Sequence, residues 1–144
     1  MSNAIAAIGT LLKIGDGGSP ETFTTVAEVT DISGPSLSMD TMEVTSHSTT
    51  NAFKEYLGSL LDAGEVSFSM NFIPTNATQS YTTGLIKDWY NRTRRHFQLV
   101  FPDVGATTWA FTALVTKFEP KAPVDAQLSA DVTLKIVEAP TLAG

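Results

Sequence analysis

Gly64-Glu65-Val66-Ser67-Phe68-Ser69-Met70-Asn71-Phe72 opens on a glycine and then alternates polar and apolar side chains without a break. Successive side chains of a strand point to opposite faces. The period therefore predicts a β-strand with Val66, Phe68, Met70 and Phe72 on one face and Glu65, Ser67, Ser69 and Asn71 on the other. A second run, Leu128-Ser129-Ala130-Asp131-Val132-Thr133-Leu134-Lys135-Ile136, has the same period. The two are expected to share an antiparallel sheet and a common core, leaving two polar rows that face away from it.

Composition narrows what those polar rows can meet. At 144 residues and 15.4 kDa the chain suits one domain spanning 1–144. Hydrophobic residues make up 42% and charged residues 17%, which predicts a folded chain whose surface is dominated by Ser, Thr, Asn and Gln. Nine basic against fifteen acidic side chains give a formal charge of -6, which argues against a monomer that grips nucleic acid through its phosphates. Without cysteine there is neither a disulfide framework nor a thiolate metal site, as fits assembly in a reducing cytosol.

Upstream of the first strand, residues 1–9 lack a basic leader and read as an arm, and nothing in the sequence is apolar enough to span a bilayer. Residues 10–15 and 22–32 read as strands of a hairpin joined by Asp16-Gly17-Gly18-Ser19-Pro20. The inward face of 22–32 is ambiguous, because both alternating sets contain apolar residues, and Gly34-Pro35 ends it. Residues 36–45 change phase, with Leu37 and Met39 on one face and Met42 and Val44 on the other, which predicts a bulge or an extended arm. Across 46–63 periodicity fails, and only 52–61 could form a helical turn or two. Residues 40–63 are therefore expected to be a long loop with Phe53, Tyr56, Leu57, Leu60 and Leu61 as apolar anchors. Those anchors either fold back on the core or dock on a neighbouring subunit.

Downstream, Asn76 or Thr78 could cap a helix running to Asn91, with Tyr81, Leu85 and Trp89 stacked at helical spacing, Ile86 beside them, and the stripe laid across the sheet. Arg92, Arg94, Arg95 and His96 follow at its C-terminal end, where cations meet the helix dipole. Strands resume over 97–101 and 107–118; Pro120 and Pro123 bracket a loop before the last strand, and 138–144 is a tail.

Catalytic chemistry finds no footing. Of two histidines, His47 sits in a polar loop and His96 in a basic run, neither within a nucleophile motif, and Asp16-Gly17-Gly18 lacks the rest of a calcium loop or phosphate cradle. No cofactor or metal is expected. Arg92, Arg94 and Arg95 could touch DNA, but in an acidic protein they are better read as charge partners within or between subunits, with Asp40, Glu43, Glu55 and Asp62 of an adjacent copy as candidates.

The linear order of features resembles a known family. Ala7-Ile8-Gly9-Thr10, Gly15-Asp16-Gly17, Glu21-Thr22-Phe23-Thr24-Thr25-Val26-Ala27-Glu28-Val29, Ile32-Ser33-Gly34-Pro35 and Asp40-Thr41-Met42-Glu43-Val44-Thr45 come first. Phe53-Lys54-Glu55-Tyr56-Leu57, Asp62-Ala63-Gly64-Glu65-Val66-Ser67-Phe68, the Trp89 helix and the closing strand continue it. In this order they resemble the major tail tube proteins of long non-contractile-tailed bacteriophages, over nearly the whole chain.

That resemblance implies a mainly β fold with one α-helix: a two-sheet antiparallel β-sandwich flanked by the helix, with a long assembly loop. It implies a structural virion protein assembled in the host cytoplasm as hexameric rings stacked into a tail tube that conducts the genome. Its partners would be other copies of itself, a tape measure protein, a tail terminator and distal tail proteins. Double-stranded DNA would pass without specific binding, and no membrane is involved. On this reading Thr41, Glu43, Phe53, Glu55, Tyr56, Leu57 and Asp62 belong to an intersubunit loop. Glu65, Ser67, Ser69, Asn71, Gln127, Ser129 and Asp131, which carry no basic residue among them before Lys135, tend to line the lumen. A tube of a contractile tail, bacteriocin or secretion machine is the near alternative; a monomeric β-sandwich binding or decoration module is the distant one.

Overall fold

The computed structural model describes residues 4–16, 20–44 and 53–142. Among them the elements run β1 (Leu11–Gly15), β2 (Phe23–Thr25), β3 (Val29–Ser33), β4 (Ser38–Glu43), β5 (Tyr56–Asp62), β6 (Glu65–Asn71), α1 (Leu85–Asn91), β7 (Arg95–Val100), β8 (Thr108–Lys121) and β9 (Ser129–Ile136). Seven strands form one antiparallel sheet in the order β2-β1-β7-β8-β9-β6-β3, and β4 and β5 form a second. Residues 1–3 of the arm, the 17–19 part of the first turn, and the 45–52 part of the long loop, His47 included, lie outside the described residues, as do the tail's 143–144.

The two alternating runs pair as their periods require. β6 and β9 are neighbours in unbroken register from Glu65↔Lys135 to Asn71↔Ser129. Val66, Met70, Ala130, Val132 and Leu134 are buried almost completely on their shared inner face. Phe72 extends that face and meets Phe118 edge-on at 5.3 Å.

The long strand β8 turns the sheet into a sandwich. Its first half pairs with β7, its second with β9, and the register slips between Val115 and Lys117. The slip reverses which side chains point inward: Phe111, Ala113 and Val115 before it, the half-buried Phe118 after it. Strands that switch layers do so at such irregularities. One layer is β2, β1, β7 and the first half of β8; the other is the second half of β8 with β9, β6 and β3. Leu12, Phe97 and Leu99 of the first layer and Val66, Met70 and Leu134 of the second belong to a single buried cluster. A seven-residue helix could not cover so wide an apolar face, so the layers cover each other.

The chain passes between the outer edges of the layers through Val26, Ala27 and Glu28 alone. Residues 22–32 are thus two strands rather than one, and the doubled apolar alternation marks where the chain leaves one layer for the other. Glu28 takes a left-handed conformation (φ 59) in this link. The buried Gln79 stitches the seam: its Nε2 donates to Ala27 O (2.8 Å) and Asn71 O (3.1 Å), and its Oε1 accepts from Ile73 N–H (2.7 Å).

Three other expectations change. The helix is confined to Leu85–Asn91, because the segment before it is spent on turns: Thr78 N–H bonds Asn76 Oδ1, and Gln79 and Ser80 bond Asn76 O. Its buried residues are Leu85 and Asp88, whereas Tyr81 and Trp89 are 57% and 50% exposed, so no aromatic stripe crosses the sheet. The stretch expected to make helical turns over 52–61 instead supplies β5, paired with β4, and the bulge expected over 36–45 is a register shift between Met39 and Thr41 whose extra residue lies on β5. Pro120 lies within β8 rather than in a loop, opposite Ala130, where β8 has β9 on one side only.

Gln79→Leu keeps the volume but strands two carbonyls and one N–H. It should cost about 3 kcal/mol or more and lower the thermal midpoint by roughly 10 °C, followed by circular dichroism; an unchanged midpoint would show that the amide does not hold the seam.

Candidate functional site

Two surfaces stand out, a polar sheet face and a projecting hairpin. The polar face is the outer side of the layer β8-β9-β6-β3. Register places Ser67 beside Thr133 and Ser33, Ser69 beside Asp131 and Asp31, and Asn71 beside Ser129, while Glu65 faces Lys135. Gln127, just before β9, approaches Asn71 at 3.5 Å. The seven residues expected on this face, Glu65, Ser67, Ser69, Asn71, Gln127, Ser129 and Asp131, are therefore brought together.

The second half of β8 adds what inspection of β6 and β9 missed. Lys117 lies opposite Thr133, Glu119 opposite Asp131 and Lys121 opposite Ser129. Register thus gives the face four carboxylates (Asp31, Glu65, Glu119, Asp131) and three lysines (Lys117, Lys121, Lys135). Each lysine has a partner: Lys121 Nζ meets Asp131 Oδ2 at 2.6 Å, Lys117 Nζ meets Glu119 Oε2 at 3.6 Å, and Lys135 Nζ meets Asp62 Oδ1 at 3.4 Å. Asp131 is also oriented by Ser69, whose Oγ donates to Oδ1 at 2.8 Å. The Lys121 ammonium first, and the Ser69 hydroxyl second, hold the Asp131 carboxyl below the usual carboxylate range, and the same bond raises Lys121. Asp62 is lowered chiefly by the Gly64 N–H, then by Lys135.

The hairpin β4-β5 touches little of its own subunit: every one of its strand residues is exposed. Pairing puts Met39 beside Leu61 on one face, where the Met39 side chain also lies over Gly58, and Met42 beside Leu57 on the other, so each face carries an exposed apolar pair. Thr41, Glu43 and Tyr56 share the face of Met39, and Asp62, opposite Ser38, that of Met42. Phe53, at the edge of the described part of the connection, is 72% exposed, and Glu55 O accepts from Val44 N–H. The anchors do not fold back on the core.

The basic cluster divides. Arg95 points into the end of the sandwich, where its guanidinium bonds Gly15 O and pairs with the buried Asp88, whose carboxyl burial pushes up against the pull of Arg95. It is therefore not available to an adjacent copy. Arg94 pairs with Glu138 at 3.1 Å on the surface, and Arg92 ends the helix in a left-handed conformation. His96 Nδ1 lies 2.6 Å from Glu21.

Comparison with known proteins gives a coherent set. Residues 9–143 match the family described as lambda phage tail tube protein, TTP. The fold is similar to a chain of the tail of an empty gene transfer agent particle refined with C6 symmetry (TM-score 0.79, 18% identity, 98% of this chain and 100% of that one). It is also similar to the SPP1 tail tube (0.69, 12%, 98% and 80%) and to an extracellular contractile injection system's sheath/tube terminator (0.72, 13%, 100% and 99%). Curated proteins yield no match.

A carboxyl whose folded pKa is depressed lends stability above its unfolded value and loses it as pH falls through the folded one. For Asp131 that loss lies below pH 3.8. Carbon-detected NMR titration should find its midpoint below that of a free aspartate and see it rise in Lys121→Met; an ordinary midpoint, unmoved by the substitution, would contradict the pairing.

Proposed function

The chain belongs to the lambda phage tail tube protein family, and on that premise we propose that its copies close into rings of six that stack into the conduit through which a genome leaves the head. It is a structural protein of the virion tail. The observation that carries the assembly reading is the β4-β5 hairpin, which leaves the pairs Met39/Leu61 and Met42/Leu57 exposed, one on each of its faces. An apolar strand pair left bare in water is an aggregation hazard unless a partner covers it. A neighbouring subunit is that partner, with Thr41, Glu43, Phe53, Glu55, Tyr56, Leu57 and Asp62 in the contact. Arg92 and Arg94 of the neighbour are the cations that its carboxylates can meet.

Closure into a ring also answers for the open flanks of the polar layer, β3 and the second half of β8. Neighbours on both sides cover them, and an interface that closes laterally but repeats axially gives rings that stack without limit. In that arrangement the polar face looks into the bore, with Glu65, Ser67, Ser69, Asn71, Gln127, Ser129 and Asp131 in its lining. DNA carries about one negative charge per 1.7 Å, so a wall without free cations lets it slide. The work is mechanical and electrostatic, with no catalytic step and no cofactor. A tape measure protein, a tail terminator and distal tail proteins complete the tail. A contractile machine's tube would share the fold, but the family match supports the lambda type. A monomeric binding module would leave the hairpin without a purpose.

Leu57→Asp with Leu61→Asp charges both apolar pairs without touching the core. The variant should keep the wild-type unfolding temperature yet form no tubes, by negative-stain microscopy, at ten times the concentration at which the parent polymerises; normal tubes would refute the docking role.

A further inference from the structure

The lysines of the polar face pose a problem that the sliding wall leaves open. Three ammonium groups per subunit, repeated around and along a tube, would make a continuous cationic surface facing a polyanion. Lys117 and Lys121 also sit on the open flank of β8, where charge guards an edge strand against unwanted pairing. The flank needs a charge there, and the bore can tolerate none that is free.

We propose that this conflict is resolved by built-in carboxylates, with Asp131, Glu119 and Asp62 acting as positioning residues that hold Lys121, Lys117 and Lys135 away from duplex DNA. The three pairs are 2.6, 3.6 and 3.4 Å long, and none relies on a group outside the face and its adjoining hairpin. The first is the best constructed. Ser69 Oγ occupies Asp131 Oδ1 and so turns Oδ2 toward Lys121, fixing the carboxylate from the neighbouring strand. Asp62 is fixed in a similar way by the Gly64 N–H at 2.8 Å, on the same Oδ1 that meets Lys135.

Counterion release explains why pairing suffices. A free lysine that binds a phosphate liberates a condensed cation, and that gain drives non-specific binding. A lysine that must leave a carboxylate to do so obliges the carboxylate to take up a cation in its place. The net release vanishes, and with it the driving force. The lining is then a compensated surface, smooth to DNA because its charges are already spoken for.

The functional meaning rests on the channel reading above, so the test separates the two. Three proteins are passed over immobilised duplex DNA in dilute buffer, as subunits below their polymerising concentration. They are the parent, the face variant Asp62→Asn/Glu119→Gln/Asp131→Asn, and a control, Asp40→Asn/Glu43→Gln/Asp125→Asn, with the same change in net charge. Parent and control should flow through. The face variant should be retained, with affinity falling about 500-fold for a tenfold rise in salt, as three released counterions dictate. Failure of the face variant to bind, or equal retention of the control, would overturn the proposal. In parallel, Ser67→Cys is treated with a polymer-linked maleimide too large to enter the bore. Labelling in subunits but not in tubes supports the channel reading, whereas equal labelling would overturn that reading independently of the DNA result.

Discussion

Thr25 ends the strand at one edge of the seven-stranded sheet and Val29 begins the strand at the other, with three residues between them. Laid flat, six strand spacings would part those edges by about 29 Å, while four extended peptide units reach only about 15 Å. The sheet must therefore fold over. This constraint makes one face the core and the other the surface, and the remaining features serve it. The register slip in β8 makes the fold possible, Gln79 ties the link to the end of β6, and Leu85 fills in beside the buried pair of Asp88 and Arg95.

Folding over also decides what the molecule can present. Apolar faces of both layers are consumed inside, so the outer rows are polar by necessity, and the chain's low charge leaves them mostly hydroxyl and amide. The hairpin is the exception. It branches off between β3 and β6, shares no sheet with the core strands, and carries exposed Met, Leu and Tyr side chains that the sandwich could not absorb. An isolated subunit is thus a finished core with an unfinished appendage. A tail tube protein needs that combination, since rigid walls must form before subunits are joined and joining must cover what remains.

What the sequence disclosed follows the same division. β6 and β9 were legible because each keeps a two-residue period with nothing to interrupt it. The phase change in 36–45 also pointed to an irregularity there, though the extra residue lies on β5. The helix was overestimated because Tyr81, Leu85 and Trp89 fall at helical spacing, while the Asn76 and Ser80 side chains and Gly84 favour turns that a stripe count does not weigh. β5 was missed because Tyr-Leu-Gly-Ser-Leu-Leu-Asp has no period of two, a pattern possible only where neither face is committed to the core of its own subunit. The lysines escaped notice because they reach the polar face from a different strand. The one local signal was the switch of inward residues from Val115 to Phe118, which places Lys117, Glu119 and Lys121 outward. Arg95 belongs by sequence to a cluster of charge partners within or between subunits, and its parity with Phe97 and Leu99 along β7 settles it inward, toward Asp88 of its own subunit.

A conduit of this kind requires the outer row of the layer formed by β8, β9, β6 and β3 to face a bore. Helical reconstruction of assembled tubes at side-chain resolution tests this most directly. The expected density shows Ser67, Ser69 and Asp131 at the inner wall, Lys121 still paired with Asp131, and the hairpin lying against an adjacent copy. A wall in which those residues face outward, or a polymer without a central channel, would contradict it.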